Sequence, residues 1–141
     1  MHAARIIPHV PQLRSVIMVL NLEYDLGDRA YRFPGGKIES TDRSPQHGGC
    51  RELDEELGIS VDVARVRDIG EYRSRCGHDV YVGLIELSLD DLPKDMCRGV
   101  DRPALLTYEE IFTERYGGVP IHRASQALLR SANDFLSPNA A

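Results

Sequence analysis

Arg51-Glu52-Leu53-Asp54-Glu55-Glu56-Leu57-Gly58-Ile59 is the stretch on which the reading of this chain turns. On a helix, positions three and four apart share a face, so Glu52, Glu55 and Glu56 stand together. Cys50, Leu53 and Leu57 fall on a different face and are placed to pack on a sheet. Ser44-Pro45 supplies an N-cap and a first helical position, and Gly58 a terminator, which predicts a helix running to about Leu57. Most acidic runs are solvated faces. Here, however, like charges at this spacing destabilise a helix by a few tenths of a kcal/mol per pair. A face built for solubility would interleave lysines, yet the sole cation nearby is Arg51. Clustered carboxylates become reasonable when a hard cation such as Mg²⁺ occupies the site.

Upstream, Phe33-Pro34-Gly35-Gly36-Lys37 ends a strand on two glycines, where backbone can approach a ligand closely. Exposed backbone groups and Lys37 can then meet phosphate oxygens, although a Gly-Gly pair alone is only a turn signal. Residues 15–22 are apolar and β-branched enough for a buried strand, and residues 29–33 form the returning strand. Asp25 to Asp28, with Gly27, carries the turn chemistry between them. Earlier still, Pro8 and Pro11 bracket an N-terminal arm expected to be irregular.

Downstream, strands are expected within residues 61–74, interrupted near Gly70, and at 78–87, the second apolar enough to be central. Residues 90–102 read as loop, 104–107 as a short strand leading into Tyr108-Glu109-Glu110-Ile111. Ala127, Leu128, Ala132, Phe135 and Leu136 recur at helical spacing, predicting one amphipathic helix over 122–136. Strands with two separated helices predict a mixed β-sheet flanked by a helix on each face.

The 141 residues suit one compact domain over 1–141, with no internal repeat or linker. With no tryptophan and three phenylalanines, the core should rest on Val, Ile, Leu and Ala. A net charge of −5 and the absence of a basic tract argue against a long nucleic acid as partner. Cations between acidic protein and polyphosphate would still permit a small nucleotide. The longest apolar run, Val16 to Leu20, cannot span a bilayer, and residues 1–10 lack the apolar core of a signal peptide. Three cysteines, Cys50, Cys76 and Cys97, without metal spacing, read as reduced thiols of a cytoplasmic protein.

Together these residues resemble the Nudix box: a Gly, five residues, Glu, seven residues, then Arg-Glu-U-x-Glu-Glu-x-Gly-U, with U a bulky aliphatic. Residues 51–59 match its second half in full, a match with a chance probability of about 10⁻⁵ at ordinary residue frequencies. The run Gly35-Gly36-Lys37-Ile38-Glu39 looks like its MutT-like members. The first half departs from the pattern, because the loop is one residue longer. Counted from Gly36 the family glutamate falls on Asp42; counted back from Arg51 it falls on Arg43. Asp42 can brace Arg51 as the family glutamate does, if the extra residue bulges after it, whereas Arg43 cannot. Gly48 and Gly49 each cost a helix about 1 kcal/mol, which tight packing of its first turn against the sheet would explain.

The resemblance implies a Nudix-like α/β/α sandwich and a metal-dependent pyrophosphohydrolase. Glu52, Glu55 and Glu56, with the Gly35 carbonyl, would hold Mg²⁺ or Mn²⁺, and Arg51 joins them in the catalytic set. Gly36, Lys37 and His78 are candidate substrate contacts, and Tyr72, Arg73 and Arg75 are placed to line a nucleotide pocket. The general base would be Glu52 or a loop acid before Ala104, Asp101 ranked ahead of Asp95. The substrate expectation is a nucleoside triphosphate or other nucleoside diphosphate derivative, acted on by a monomer or homodimer. Two rivals differ in class. A catalytically silent nucleotide-sensing module usually lacks box carboxylates, and these are all present. An isomerase of the isopentenyl diphosphate type should carry a catalytic cysteine and an altered box, whereas Cys50 lies inside the helix.

Overall fold

The computed structural model describes residues 2–20, 29–94 and 103–136. The turn expected at Asp25 to Asp28, as well as Asp95, Cys97 and Asp101, lie outside the described residues.

Neighbouring apolar residues on a strand face opposite ways, and three adjacent pairs divide the core accordingly. Ile7, Met18 and Leu84 join one cluster with Phe33, Leu106, Leu129 and Leu136. Ile6, Ile17 and Ile85 join the other with Leu53 and Leu57. The strands carrying these pairs are β1 (Ala3–Val10), β2 (Ser15–Leu20) and β6 (Asp79–Glu86), which form the middle of a sheet that has seven strands among the described residues. The order is β3-β2-β1-β6-β5, with β3 at Tyr31–Arg32 and β5 at Arg67–Arg73. In addition β4 (Gly35–Lys37) pairs with β1, and β7 (Ala104–Thr107) with β2. Pairing of β1 with β6 is parallel and the other pairings in this sheet are antiparallel, so the sheet is mixed.

The Nudix-like α/β/α expectation therefore holds. Helix α1 (Pro45–Leu57) covers one face, with Leu53 and Leu57 at 0% and 6% exposure. Full burial of one such side chain contributes about 1.5–3 kcal/mol. The Ser44 hydroxyl accepts from the His47 N–H at 3.2 Å and Gly58 turns left-handed at φ 68°, closing the helix where the sequence predicts. On the other face lie α2 (Tyr108–Ile111), α3 (Arg123–Ser131) and α4 (Asn133–Leu136).

Three expectations are corrected. The N-terminal arm is not irregular; it is a central strand despite Pro8. The Ile6 N–H bonds the Pro34 carbonyl, whereas the His9 carbonyl accepts from Leu87 on the β6 side. By alternation the Pro8 nitrogen faces the β4/β2 edge, between the spans those strands cover (Ala3 to Arg5 and His9 to Val10), so its missing N–H breaks no ladder. Second, residues 35–37 do not merely stop a strand but form β4. Third, the C-terminal helix is two helices broken at Ala132, and its buried face carries Ser125, Leu129, Ala132 and Leu136, with Ala127 exposed. A two-residue Gly117-Gly118 turn, both with positive φ, also joins a small hairpin of β8 (Arg115–Tyr116) and β9 (Val119–Pro120).

Candidate active site

The box helix is pinned to the loop before it by one arginine. Arg51 donates from Nε to Asp42 Oδ1 and from Nη2 to Asp42 Oδ2, both at 3.0 Å, a bidentate fork. Nη2 also reaches the Lys37 carbonyl at 2.9 Å, tying the helix to the end of β4. Asp42 is itself set by a tight turn, its N–H bonding the Glu39 carbonyl at 3.0 Å and its carboxylate accepting from the Glu39 N–H at 2.8 Å. The hydrogen bond from Arg51, then that from Glu39, hold the Asp42 carboxyl below its ordinary value. The extra loop residue thus bulges after Asp42, and Arg43 is exposed.

Helix–strand contact depends on glycines. A Cβ on Gly49 would stand 2.6 Å from Ile6 Cδ1, and one on Gly48 3.1 Å from Asp42 Oδ2. Tight packing against the sheet, as expected, accounts for Gly49, whereas Gly48 instead faces the preceding loop at Asp42 and Ile38. At the other end of the site, a Cβ on Gly35 would stand 2.1 Å from the Ala4 carbonyl oxygen, and one on Gly36 2.5 Å from Glu52 Oε1. The Gly35 N–H donates to Glu56 Oε2 at 3.1 Å. Glu52 and Glu56 are therefore gathered against the Gly35-Gly36 backbone, where a Cβ at Gly35 would strike the Ala4 backbone and one at Gly36 would push the Glu52 carboxylate aside.

The electrostatics are those of crowded acids. Partial burial, aided by the Glu55 charge and opposed by Arg51, pushes the Glu52 carboxyl up. Glu56 is pushed up to about 7, first by burial of its carboxyl group and then by the charges of Glu52 and Glu55, against the opposing Gly35 N–H and Arg5. Glu56 as a residue is exposed, so water limits this rise. Glu55 is 57% exposed and meets Glu52 only through Arg51 Nη1, which lies 3.2 Å from an oxygen of each. Among the described residues, no three acidic, histidine or cysteine side chains already converge as a ligand set. Acids with raised pKa values, all oxygen donors, and a backbone opened by Gly36 nonetheless fit a hard divalent cation better than any other group.

Of the expected substrate contacts, Gly36 is at the site, and Lys37 is exposed at the end of β4. His78 is exposed and stacked on His2, ring centroids 4.8 Å apart. Tyr72 packs on the sheet core, while Arg73 lies 3.9 Å from Asp79. Two residues escaped the sequence reading. Arg5 donates from Nη1 to the Phe33 carbonyl at 3.1 Å, and its charge acts on both Glu52 and Glu56. His122 precedes α3, its N–H bonded to the Tyr31 carbonyl at 3.0 Å. Burial, then Arg32, Arg5 and Arg75, lower its pKa to about 4. Neither carries a sequence signal, because Arg5 sits in the strand mistaken for an arm.

The chain matches no family model. It is 30% identical to the U8 snoRNA-decapping enzyme of Xenopus laevis over a 98-residue alignment covering 64% of this chain and 43% of that protein. The chain thus spans less than half the length of that curated relative. Among solved structures it resembles a C. elegans Ap4A hydrolase binary complex (14% identity, TM-score 0.68, 96% of this chain and 98% of that one). It also resembles the E. coli ORF135 protein (19% identity, TM-score 0.62, 99% and 92%). Fold and site define a mixed-sheet α/β/α protein whose carboxylate-bearing helix closes on a glycine pair. With residues 51–59 completing the second half of the box, the chain resembles the Nudix hydrolases in motif and in fold.

Proposed function

We propose that this chain is a metal-dependent pyrophosphohydrolase, a single domain over 1–141 that cleaves a phosphoanhydride bond in a nucleoside triphosphate or other nucleoside diphosphate derivative. The supporting observation is the gathering of Glu52 and Glu56 against Gly35-Gly36 by a helix that Asp42 and Arg51 brace. Glu52, Glu55, Glu56 and the Gly35 carbonyl would hold Mg²⁺ or Mn²⁺. Such an ion, when bound, offsets charge on the phosphates and lowers the pKa of water. Because Arg51 Nη1 already joins Glu52 to Glu55, those oxygens become free for a cation only as Nη1 withdraws; Nε and Nη2 can meanwhile stay on Asp42.

Glu52, the less exposed of the two carboxylates that Arg51 Nη1 joins, accepts the proton of the attacking water. Arg51, held on Asp42, fixes the helix that carries this carboxylate, and Gly36 leaves room for it. Lys37 and His78 meet the outer phosphates and the rest of the nucleotide. Asp101 and Asp95 remain alternative bases. Reduced thiols without metal spacing support a cytoplasmic protein. No helix among the described residues is long and apolar enough to cross a membrane.

A capped RNA end is a second substrate reading, favoured by the likeness to the decapping enzyme. Against long RNA stands the net charge of −5 with no basic tract. Phosphate release from nucleoside triphosphates, nucleotide sugars, ADP-ribose, dinucleoside polyphosphates and capped RNA, with Mg²⁺ and with and without added phosphatase, decides between them. Turnover of small nucleotides ahead of capped RNA supports the first reading. Turnover of capped RNA alone replaces it with the second.

A further inference from the structure

A cavity of about 530 Å³ lies on the sheet face opposite the box helix. Its apolar wall is Leu129 and Leu136, and its other lining includes Tyr108, Phe112, Arg14 and Arg130. Each arginine lies over one ring: Arg14 Cζ is 5.0 Å from the Tyr108 centroid, and Arg130 Cζ is 4.8 Å from that of Phe112. Phe112 keeps 41% of its surface exposed. The volume is within the range of small-molecule sites, and an apolar cavity with a few placed polar groups is their usual character.

Arg14 is held there at some cost. It is the only non-glycine with positive φ among the described residues, at φ 48°, ψ 46°. Side chains with a Cβ rarely adopt this conformation, and persistence in it points to a role for the side chain. The turn is fixed at both ends: the Arg14 N–H bonds the Pro11 carbonyl at 3.0 Å, and the Arg14 carbonyl accepts from Tyr108 at 3.1 Å. The Tyr108 ring beneath is fixed in turn by a hydrogen bond between its hydroxyl and Nε2 of the fully buried His9. Among the described residues Arg14 forms an ion pair with Glu109, at 4.0 Å, with both side chains mostly exposed, an arrangement a ligand can displace.

We propose that this cavity is a second binding site, independent of the box, for a small organic anion that places an apolar ring or chain against Leu129 and Leu136 and its carboxylate, phosphate or sulfonate between Arg14 and Arg130. Guanidinium groups resting on rings lose less freedom on binding, and they favour an anion over a neutral molecule of the same shape.

The test uses the folded full chain and two probes of similar shape, 8-anilinonaphthalene-1-sulfonate and the uncharged N-phenyl-1-naphthylamine, followed by fluorescence and by amide chemical shifts. The expected result is saturable binding of the sulfonate, shifts at Arg14, Tyr108, Leu129 and Leu136, and about tenfold or weaker binding of the neutral probe. Arg14→Asn relieves the left-handed backbone, so it should raise thermal stability while weakening sulfonate binding about tenfold, and Arg130→Gln should weaken it similarly. Glu52→Gln/Glu56→Gln should leave it unchanged. Equal affinity for both probes, undiminished binding in both arginine variants, or shifts centred on the box helix would overturn the proposal.

Discussion

Removing the carboxylate of Asp42 tests whether the loop before the box helix braces it. Two charge-assisted hydrogen bonds at 3.0 Å join Asp42 to Arg51, and a third at 2.8 Å holds the Glu39 N–H. The Asp42 side chain is 6% exposed and Arg51 21%, so the pair is shielded more than a surface salt bridge. A hydrogen bond to a charged group is worth about 1.5–3 kcal/mol. Stripping one partner from a fully buried pair costs about 3–5 kcal/mol, because the other charge is left alone. Arg51 would keep Glu39, Glu52 and Glu55 within 3.5 Å, so that upper range is not reached. Asp42→Ala should therefore cost about 2–3 kcal/mol at pH 7, roughly 6–10 °C in Tm.

Acid gives the same prediction a sign. The folded pKa of Asp42 lies below its ordinary 3.8, so below that value the unfolded chain binds more protons than the folded one. Its contribution is complete above 3.8 and disappears as pH falls through the folded value. Urea unfolding of the wild type and Asp42→Ala across pH 2.5–7 should show a gap that is constant down to about pH 4 and closes below it. A gap under about 0.5 kcal/mol at pH 7, or one that persists unchanged in acid, would refute the brace.

The glycine pair makes a contrast. Gly35→Ala drives a Cβ into the Ala4 backbone and should destabilise by about 3 kcal/mol or more, whereas Gly36→Ala meets only the movable end of Glu52 and should cost under about 1 kcal/mol while weakening divalent-cation affinity, both read by calorimetry. Gly49→Ala gains about 1 kcal/mol of helix propensity but crowds the buried Ile6, so the net change should be a loss of about 1–2 kcal/mol on urea unfolding. His122, with its folded pKa near 4 against an ordinary 6.5, favours the neutral form; stability should fall as pH drops from 6.5 towards 4, and His122→Gln should flatten that fall.

What could be read in advance follows from how local each signal is. The box helix announces itself because its caps, Ser44 and Gly58, and its apolar stripe are all encoded within a few residues. The Asp42 brace was legible too, since only one of two candidate residues carries the right charge. Strand β1 was missed because a strand buried on both faces shows no alternation, and Pro8 argued against it; the gap between its partners that tolerates Pro8 is a tertiary fact. The break at Ala132 has no marker, since Ser131-Ala132-Asn133 contains neither proline nor glycine. By contrast Gly117-Gly118 is a local hairpin signal, and the sequence reading passed over it. Arg5 and Arg14 acquire their surroundings from Phe33 and Tyr108, residues 28 and 94 positions away, which no pattern along the chain reveals.

The central claim is that the box carboxylates carry out metal-dependent hydrolysis, and one experiment addresses it directly. Turnover of the best small-nucleotide substrate would be followed in H₂¹⁸O with Mg²⁺, with excess EDTA, and with folded Glu52→Gln and Glu56→Gln proteins. The account predicts ¹⁸O in a phosphate product and turnover abolished by EDTA. In each variant it should drop by about 10²-fold or more, as loss of a general base or a metal-binding group entails. Turnover that survives both EDTA and the two substitutions would contradict it.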